Sequence, residues 1–192
     1  MRLPELDLST LTDRQRELYD RIGGKRGQVR GPFLIWLRSP ELCDKVEALG
    51  AFLRFDSVLP ERIRELAILV TARFFDAQYS WAAHSEKAVK CGVAASAVEE
   101  LAQSKVPEFS NDDERVFYEF AWELLSTHIV SEARYNAARD TFGEQGLVDI
   151  IGALGNFSML AMCLNAFQVP LRAEQKAPFP DIQNFGKVKA GE

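Results

Sequence analysis

Histidine and cysteine are scarce in this chain, which has two histidines and three cysteines among its 192 residues. Cys43, Cys91 and Cys163 are far apart and odd in number, which excludes a disulfide framework and the paired cysteines of a zinc site. His84 and His128 have no acidic partner at the spacing of metal ligands. The sequence therefore predicts no metal site, and its cysteine usage favours a reducing, cytoplasmic setting.

The chain also lacks an excess of positive charge. It has 23 Lys and Arg residues against 28 Asp and Glu residues, a formal charge of -5, and no basic stripe with interleaved aromatic residues. A nucleic-acid-binding surface needs such a stripe to contact phosphates. We therefore expect no nucleic-acid partner.

Long uninterrupted apolar segments are missing as well. The first residues contain no apolar core of a secretory signal. Residues 147–167 are strongly apolar, but Asp149, Asn156, Ser158 and Asn165 interrupt them. Because isolated polar groups are costly in hydrocarbon, this stretch is predicted to be a buried core or subunit-interface helix rather than a membrane span. We expect no membrane partner and a cytoplasmic location.

Strand patterns are absent too, since no segment alternates with a period of two residues for long. Apolar residues instead recur at helical spacing, in a chain that is 47% hydrophobic and 27% charged. These features predict an all-α fold of about eight helices in one domain spanning residues 1–192. Residues 1–29 form a helical extension in this prediction, and the proline-containing residues 171–192 form a tail that is loosely ordered or wraps a neighbour.

Capping residues and glycines predict the ends of the helices. The segment from Gly23 to Gly27 is expected to break the first helix after Ile22, Asp76 to cap the helix that carries His84, and Ser96 to open a capping box. The predicted helices run from about Thr12 to Ile22, Ser39 to Phe55, Pro60 to Phe74, Ala77 to Lys90, Ser96 to Gln103, Ser110 to Thr127, Ser131 to Phe142 and Leu147 to Gln168.

His84 is the main candidate for a functional residue. Ser80 precedes it by one helical turn, so both side chains share a helix face. A hairpin centred near Phe74 and Phe75 brings Glu65 of the preceding helix opposite His84. Burial of Glu65 on an apolar helix is expected to raise its pKa toward that of an imidazole, and such a pair can transfer protons.

Other interpretations of these residues remain open. The contact between Glu65 and His84 is either catalytic or a structural hydrogen bond inside a helix hairpin. Ser80 and His84 have the spacing of a nucleophile and its base, although contact of the hydroxyl with a ligand is the simpler role. Tyr79 and Trp81 point to different faces, so at least one of them packs in the core.

Residues 65–92 resemble the core of the carboxymuconolactone decarboxylase family, which includes the alkylhydroperoxidase D-like proteins. Glu65, Trp81, His84 and Gly92 fit its pattern of a Glu-bearing helix, an aromatic-rich turn, a histidine and a closing glycine. Flanking similarity occurs at residues 30–33, 38–42 and 164–167, and the resemblance covers roughly residues 30–170. It implies an alkylhydroperoxidase D-like helical bundle.

The peroxidase branch of this family places a Cys-x-x-Cys pair at the start of the His-bearing helix. Ala77 and Ser80 occupy those two positions here. Because neither residue can form a disulfide or reduce a peroxide, the resemblance carries over Glu65 and His84 as a proton relay but not thiol redox activity. A peroxidase-type antioxidant protein is therefore the less favoured alternative.

The decarboxylase branch also lacks the cysteine pair. This resemblance implies a cofactor-free lyase acting on a small carboxylated or lactone substrate, with His84 as the acid and Glu65 orienting it. The implied assembly is a homo-oligomer, a trimer or hexamer. A catalytically silent ligand-binding or structural member is the alternative from a different class. Predicted substrate-binding residues are Ser80, Tyr79, Trp81, Arg30 and Arg73, and Arg38 is a further candidate for a carboxylate clamp.

Overall fold

The computed structural model describes residues 1–179 and contains eight α-helices and no strand within them. The all-α prediction is therefore confirmed. The helices are α1 (Asp13–Arg26), α2 (Pro32–Trp36), α3 (Pro40–Ala51), α4 (Glu61–Phe74), α5 (Gln78–Lys90), α6 (Ala95–Ala102), α7 (Asp112–Thr127) and α8 (Glu132–Ala166). A short 3-10 turn precedes α1, and a π-helical segment, Phe52–Asp56, continues α3.

Helix α4 lies at the centre of the main core and contacts α5, α7 and α8. Its residues from Leu66 to Ala72 are all buried, and Ile63 is fully buried one turn earlier. Burying each large aliphatic side chain contributes about 1.5–3 kcal/mol, so a helix that is apolar nearly all round is stable only when other helices surround it. This central position holds Glu65 away from solvent.

The N-terminal helix α1 forms a second, smaller core with α3. Gly23 and Gly24 lie inside α1, which ends at Gly27 with a φ of 75°. The end of the helix was therefore predicted too early: of the expected breaking segment, Gly27 ends α1, whereas Gly23 and Gly24 do not. Each costs about 1 kcal/mol relative to alanine in a helix, but the complete burial of Leu18 and Ile22 on α3 outweighs that cost.

A kink at Gly143, where φ is 69° and ψ is 173°, separates the two helices that were predicted after Ser131, and both are included in the element named α8. Helix α8 is long and apolar enough to cross a membrane, but 56% of its most apolar window is buried inside the fold. That arrangement is typical of the core helix of a soluble protein.

Two predicted helix caps were wrong. Asp76 has a φ of 51°, and its carboxylate pairs with the Arg73 guanidinium, so it makes no cap to α5. Helix α6 begins at Ala95 with Ala94 as its cap residue, which places Ser96 inside the first turn. In both cases the backbone enters the helix at a different residue from the one that the side-chain pattern indicates.

The described part of the C-terminal tail packs on α5. The Gln175 side-chain amide donates to the Ala82 carbonyl at 3.0 Å. The Phe179 ring meets the Trp81 ring edge to face, at 5.7 Å between centroids, and lies 4.7 Å from the Arg73 guanidinium. Residues 180–192, the rest of the predicted tail, lie outside the described residues.

Candidate active site

The pair Glu65 and His84 meets between the antiparallel helices α4 and α5. The two atoms in contact are His84 Nδ1 and Glu65 Oε2, 2.7 Å apart. Glu65 is only 1% exposed, whereas the His84 side chain is 16% exposed. The hairpin geometry thus brings together the two residues that the sequence analysis paired.

Lys87 completes the group and was not predicted. Its Nζ donates to Glu65 Oε1 at 2.7 Å and also lies 3.1 Å from Glu61 Oε1. The signal was present in the sequence, because Lys87 follows His84 by three residues and so shares its helix face. Each Glu65 oxygen therefore accepts a separate hydrogen bond.

These contacts decide the charge of Glu65. Burial raises the pKa of the Glu65 carboxyl, but the hydrogen bonds and charges of His84 and Lys87 outweigh burial and lower this pKa to about 2. The sequence-based expectation of a raised pKa was wrong, because it counted burial and left out the lowering of the pKa by the hydrogen bonds and charges of His84 and Lys87. Glu65 is therefore an ionised carboxylate at neutral pH.

An ionised Glu65 sets the tautomer of His84. A carboxylate only accepts hydrogen bonds, so Nδ1 of His84 must carry a proton and donate it to Oε2. The other ring nitrogen, Nε2, makes no hydrogen bond to residues 1–179. It accepts a proton in the neutral ring and donates one in the charged ring, which is the arrangement that an acid–base catalyst needs.

His84 lines a cavity of about 260 Å³ between α3, α5, α8 and the segment before α2. Tyr79 and Ser80 line it one turn earlier on α5. Apolar side chains of α8, Phe157, Leu160 and Leu164, form part of its wall together with Ile68 of α4. Such a mixture of an apolar wall and a few polar groups is typical of a small-molecule site.

Three arginines line this cavity: Arg30, Arg54 and Arg172. Arg30 and Arg54 form no ion pair with any carboxylate among residues 1–179, and Arg172 reaches only Glu174 at 3.7 Å. Arg30 was predicted. Arg54 and Arg172 were missed, although Arg54 is a single cation within the apolar Phe52–Phe55 stretch. The positive charges of the three arginines favour an anionic ligand in this cavity.

Tyr79 is held in place by the backbone at Gly31. The φ of Gly31 is 56°, and a Cβ built there would lie 2.6 Å from Cε1 of the Tyr79 ring. Only glycine permits this approach. Burial raises the pKa of the Tyr79 phenol, so it remains a neutral hydrogen-bonding group in the cavity wall at neutral pH.

Three predicted contact residues lie outside the cavity that contains His84. Trp81 is 3% exposed and packs in the main core against Phe179. Arg73 donates to the Ala102 carbonyl at 3.1 Å and contacts Asp76 and Ser104, and Arg38 donates to the carbonyls of Leu34 and Pro4. Their positions could not be predicted, because a helix pattern does not reveal which face meets a neighbouring segment.

The three cysteines, Cys43, Cys91 and Cys163, are free thiols. Burial raises the pKa of the Cys43 and Cys163 thiols to about 11 in each case, and burial also raises the pKa of Cys91. Such thiols carry little thiolate at neutral pH. Among residues 1–179, no group of three His, Cys, Asp or Glu side chains is arranged to hold a metal.

No protein-family model matches this chain, and no curated protein matches its sequence. Solved structures do match its fold. An uncharacterized peroxidase-related protein from Silicibacter sp. TM1040 shares 21% identity over 91% of this chain and 92% of that chain, with a TM-score of 0.72. The alkylhydroperoxidase AhpD core of an uncharacterized peroxidase-related protein from Ralstonia eutropha JMP134 shares 22% identity over 90% and 93%, with a TM-score of 0.74.

The debrominase Bmp8, solved as a variant in complex with 2,3,4-tribromopyrrole, is a third match. It shares 16% identity over 91% of each chain, with a TM-score of 0.71. These identities are low, so the matches define the fold and no more. The chain has the AhpD-like fold, and at least one protein with that fold is an enzyme.

Proposed function

We propose that this chain is a cofactor-free lyase that acts on a small carboxylated substrate, a lactone or a related cyclic compound, by proton transfer at His84. The observation that carries the proposal is the hydrogen bond between buried, ionised Glu65 and His84 at the wall of a cavity lined by three arginines. The resemblance to 4-carboxymuconolactone decarboxylase supports the lyase class.

Decarboxylation of such a substrate needs an electron sink and an acid. The bond between the carboxylate and the ring breaks, carbon dioxide leaves, and the electron pair of that bond delocalises into the ring carbonyl. Charged His84 then donates the Nε2 proton to the carbanionic carbon and becomes neutral. Solvent returns the proton in the next cycle, so the reaction consumes one proton and releases one carbon dioxide.

Glu65 acts through His84 rather than on the substrate. Glu65 accepts the hydrogen bond from Nδ1, and its fixed position on α4 orients the ring so that Nε2 remains available to the substrate. Lys87 keeps Glu65 ionised and occupies its second oxygen. The arginines bind the substrate carboxylate, and the apolar wall on α8 reduces the access of water.

Turnover of a panel of carboxylated lactones and matching lactams, measured as carbon dioxide release, tests this proposal. We expect Arg54→Gln to raise KM about 10- to 100-fold, since a hydrogen bond to a charged group contributes about 1.5–3 kcal/mol. Arg115→Gln, which removes an exposed arginine of α7 far from the cavity lining, is the matched control and should leave KM unchanged. Absence of turnover for every compound would favour the catalytically silent alternative.

We also propose that the chain acts in the cytoplasm as a homo-oligomer, a trimer or hexamer. An exposed apolar surface on α8 and the adjacent π-helical segment supports self-association. This surface consists of Val148, Ile151 and Met162 of α8 with Phe52, Phe55 and Val58. Light scattering of the purified chain should give a mass of three or six copies, and a monomeric mass would contradict the proposal.

A further inference from the structure

Asn156 of α8 is a buried polar residue in the cavity wall. It is 3% exposed, and neither its Nδ2 nor its Oδ1 has a hydrogen-bond partner among residues 1–179. It precedes Leu160 and Leu164 at four-residue intervals, so it is a polar interruption of an apolar stripe that lines the cavity.

An unpaired buried amide is unfavourable for the free protein. A buried donor or acceptor that lacks a partner costs about 1–3 kcal/mol, and Asn156 has both kinds of group. Leucine has a similar size and would continue the apolar stripe without that cost. Stability therefore does not account for asparagine here, whereas binding of a polar ligand group does.

The chemistry of the other cavity residues narrows the kind of group that Asn156 binds. The three arginines only donate hydrogen bonds, so they suit the acceptor oxygens of a carboxylate. Asn156 differs because its Oδ1 needs a donor. A ligand edge with acceptors alone, such as that of a lactone, would satisfy Nδ2 and leave Oδ1 unpaired.

We propose that Asn156 is a specificity-determining residue, and that it binds a ring edge on which an N–H or O–H donor lies next to a carbonyl. The preferred ligand is then a small carboxylated lactam or hydroxy-carbonyl ring, with its carboxylate on the arginines. This inference rests on the proposed function in one respect, that the cavity beside His84 is the ligand site. It does not depend on catalysis, because a ligand can bind to Asn156 without turnover.

Calorimetric titration of the full chain with two matched compounds tests the inference. The compounds are 5-oxopyrrolidine-2-carboxylate and 5-oxotetrahydrofuran-2-carboxylate, which differ in a ring N–H or a ring oxygen. We expect the lactam to bind about tenfold more tightly, since the lactone leaves one buried acceptor unpaired. Equal affinities, or no binding of either compound, would overturn the inference.

Asn156→Leu separates a ligand-binding role from a structural one. We expect this variant to lose the preference for the lactam and to melt about 2–4 °C higher than wild type, because it removes an unpaired buried amide. Ser158→Ala is the matched control: Ser158 Oγ is also buried on α8 and unpartnered among the described residues, but it does not line the cavity. It should keep the preference.

Two further outcomes are decisive. A lower melting temperature of Asn156→Leu, or a lactam preference that survives in this variant, would show that the amide is structural. A lactam preference in a protein that turns over no compound supports the inference while the proposed lyase activity fails. Conversely, turnover of lactones without any lactam preference supports the lyase and overturns the role of Asn156.

Discussion

Replacement of His84 by alanine is expected to lower kcat about 10²- to 10⁴-fold on any compound that the wild-type protein turns over, since this is the usual contribution of a general acid or base. The reason is that His84 is the group in the cavity whose Nε2 is unpaired while its Nδ1 is held by an ionised carboxylate. KM should change little, because the arginines that bind the carboxylate remain. Steady-state kinetics of the purified variant measure both constants.

Two controls separate a catalytic His84 from a structural one. Added imidazole should restore part of the turnover of His84→Ala, because an imidazolium ion can enter the space that the side chain vacates and donate the proton in place of His84. His128→Gly removes the other histidine, which is exposed at the end of α7 with a φ of 67° that glycine adopts easily, and should leave kcat unchanged. Unfolding of His84→Ala, with no turnover by wild type, would instead identify the pair as a structural hydrogen bond.

Replacement of Glu65 by glutamine is expected to lower the free energy of unfolding by about 3 kcal/mol at pH 7. Glu65 is 1% exposed and accepts hydrogen bonds from His84 and Lys87, so a neutral amide leaves the partly buried Lys87 ammonium without its counter-charge and gives His84 a weaker acceptor. Urea unfolding followed by circular dichroism measures this difference. Glu61→Gln is the matched control, because Glu61 pairs with the same Lys87 but is 53% exposed, and it should have little effect.

The same residue predicts a dependence of stability on pH. The pKa of Glu65 falls from an ordinary value of 4.5 to about 2 in the folded chain, so its contribution is complete above pH 4.5 and is lost as the pH falls toward 2. The size of this contribution is about 3 kcal/mol, since one unit of pKa corresponds to about 1.4 kcal/mol. The difference between wild type and Glu65→Gln should therefore shrink between pH 5 and pH 3. A constant difference over this range would contradict the low pKa.

Local chain chemistry predicted much of the helical framework. The helices around Glu65 and His84 begin and end within one or two residues of their expected limits, because Pro60 fixes the backbone before the first helix and Gly92 readily adopts the positive φ that follows the second. Local chain chemistry gave the wrong result for Gly23 and Gly24, because tertiary packing outweighs their tendency to end a helix. Their effect is small compared with the burial of Leu18 and Ile22, which only the packing of α1 on α3 reveals.

The candidate site was predictable in part. The positions of Glu65 and His84 followed from the symmetry of a helix hairpin, which depends on sequence separation alone. The charge of Glu65 did not follow, because it depends on how strongly His84 and then Lys87 oppose the effect of burial, and Lys87 was not part of the predicted group. Arg54 and Arg172 reach the cavity from a π-helical segment and a C-terminal segment, and no periodic pattern relates either of them to His84.

The sequence by itself determined that the chain is helical and that Glu65 and His84 face each other. These features depend on spacing along one helix or one hairpin. Only the tertiary structure decided which arginines line the cavity, that Glu65 is ionised, and that Asn156 is buried there without a partner. Each of these depends on distances and burial among segments far apart in the chain, which local spacing does not specify.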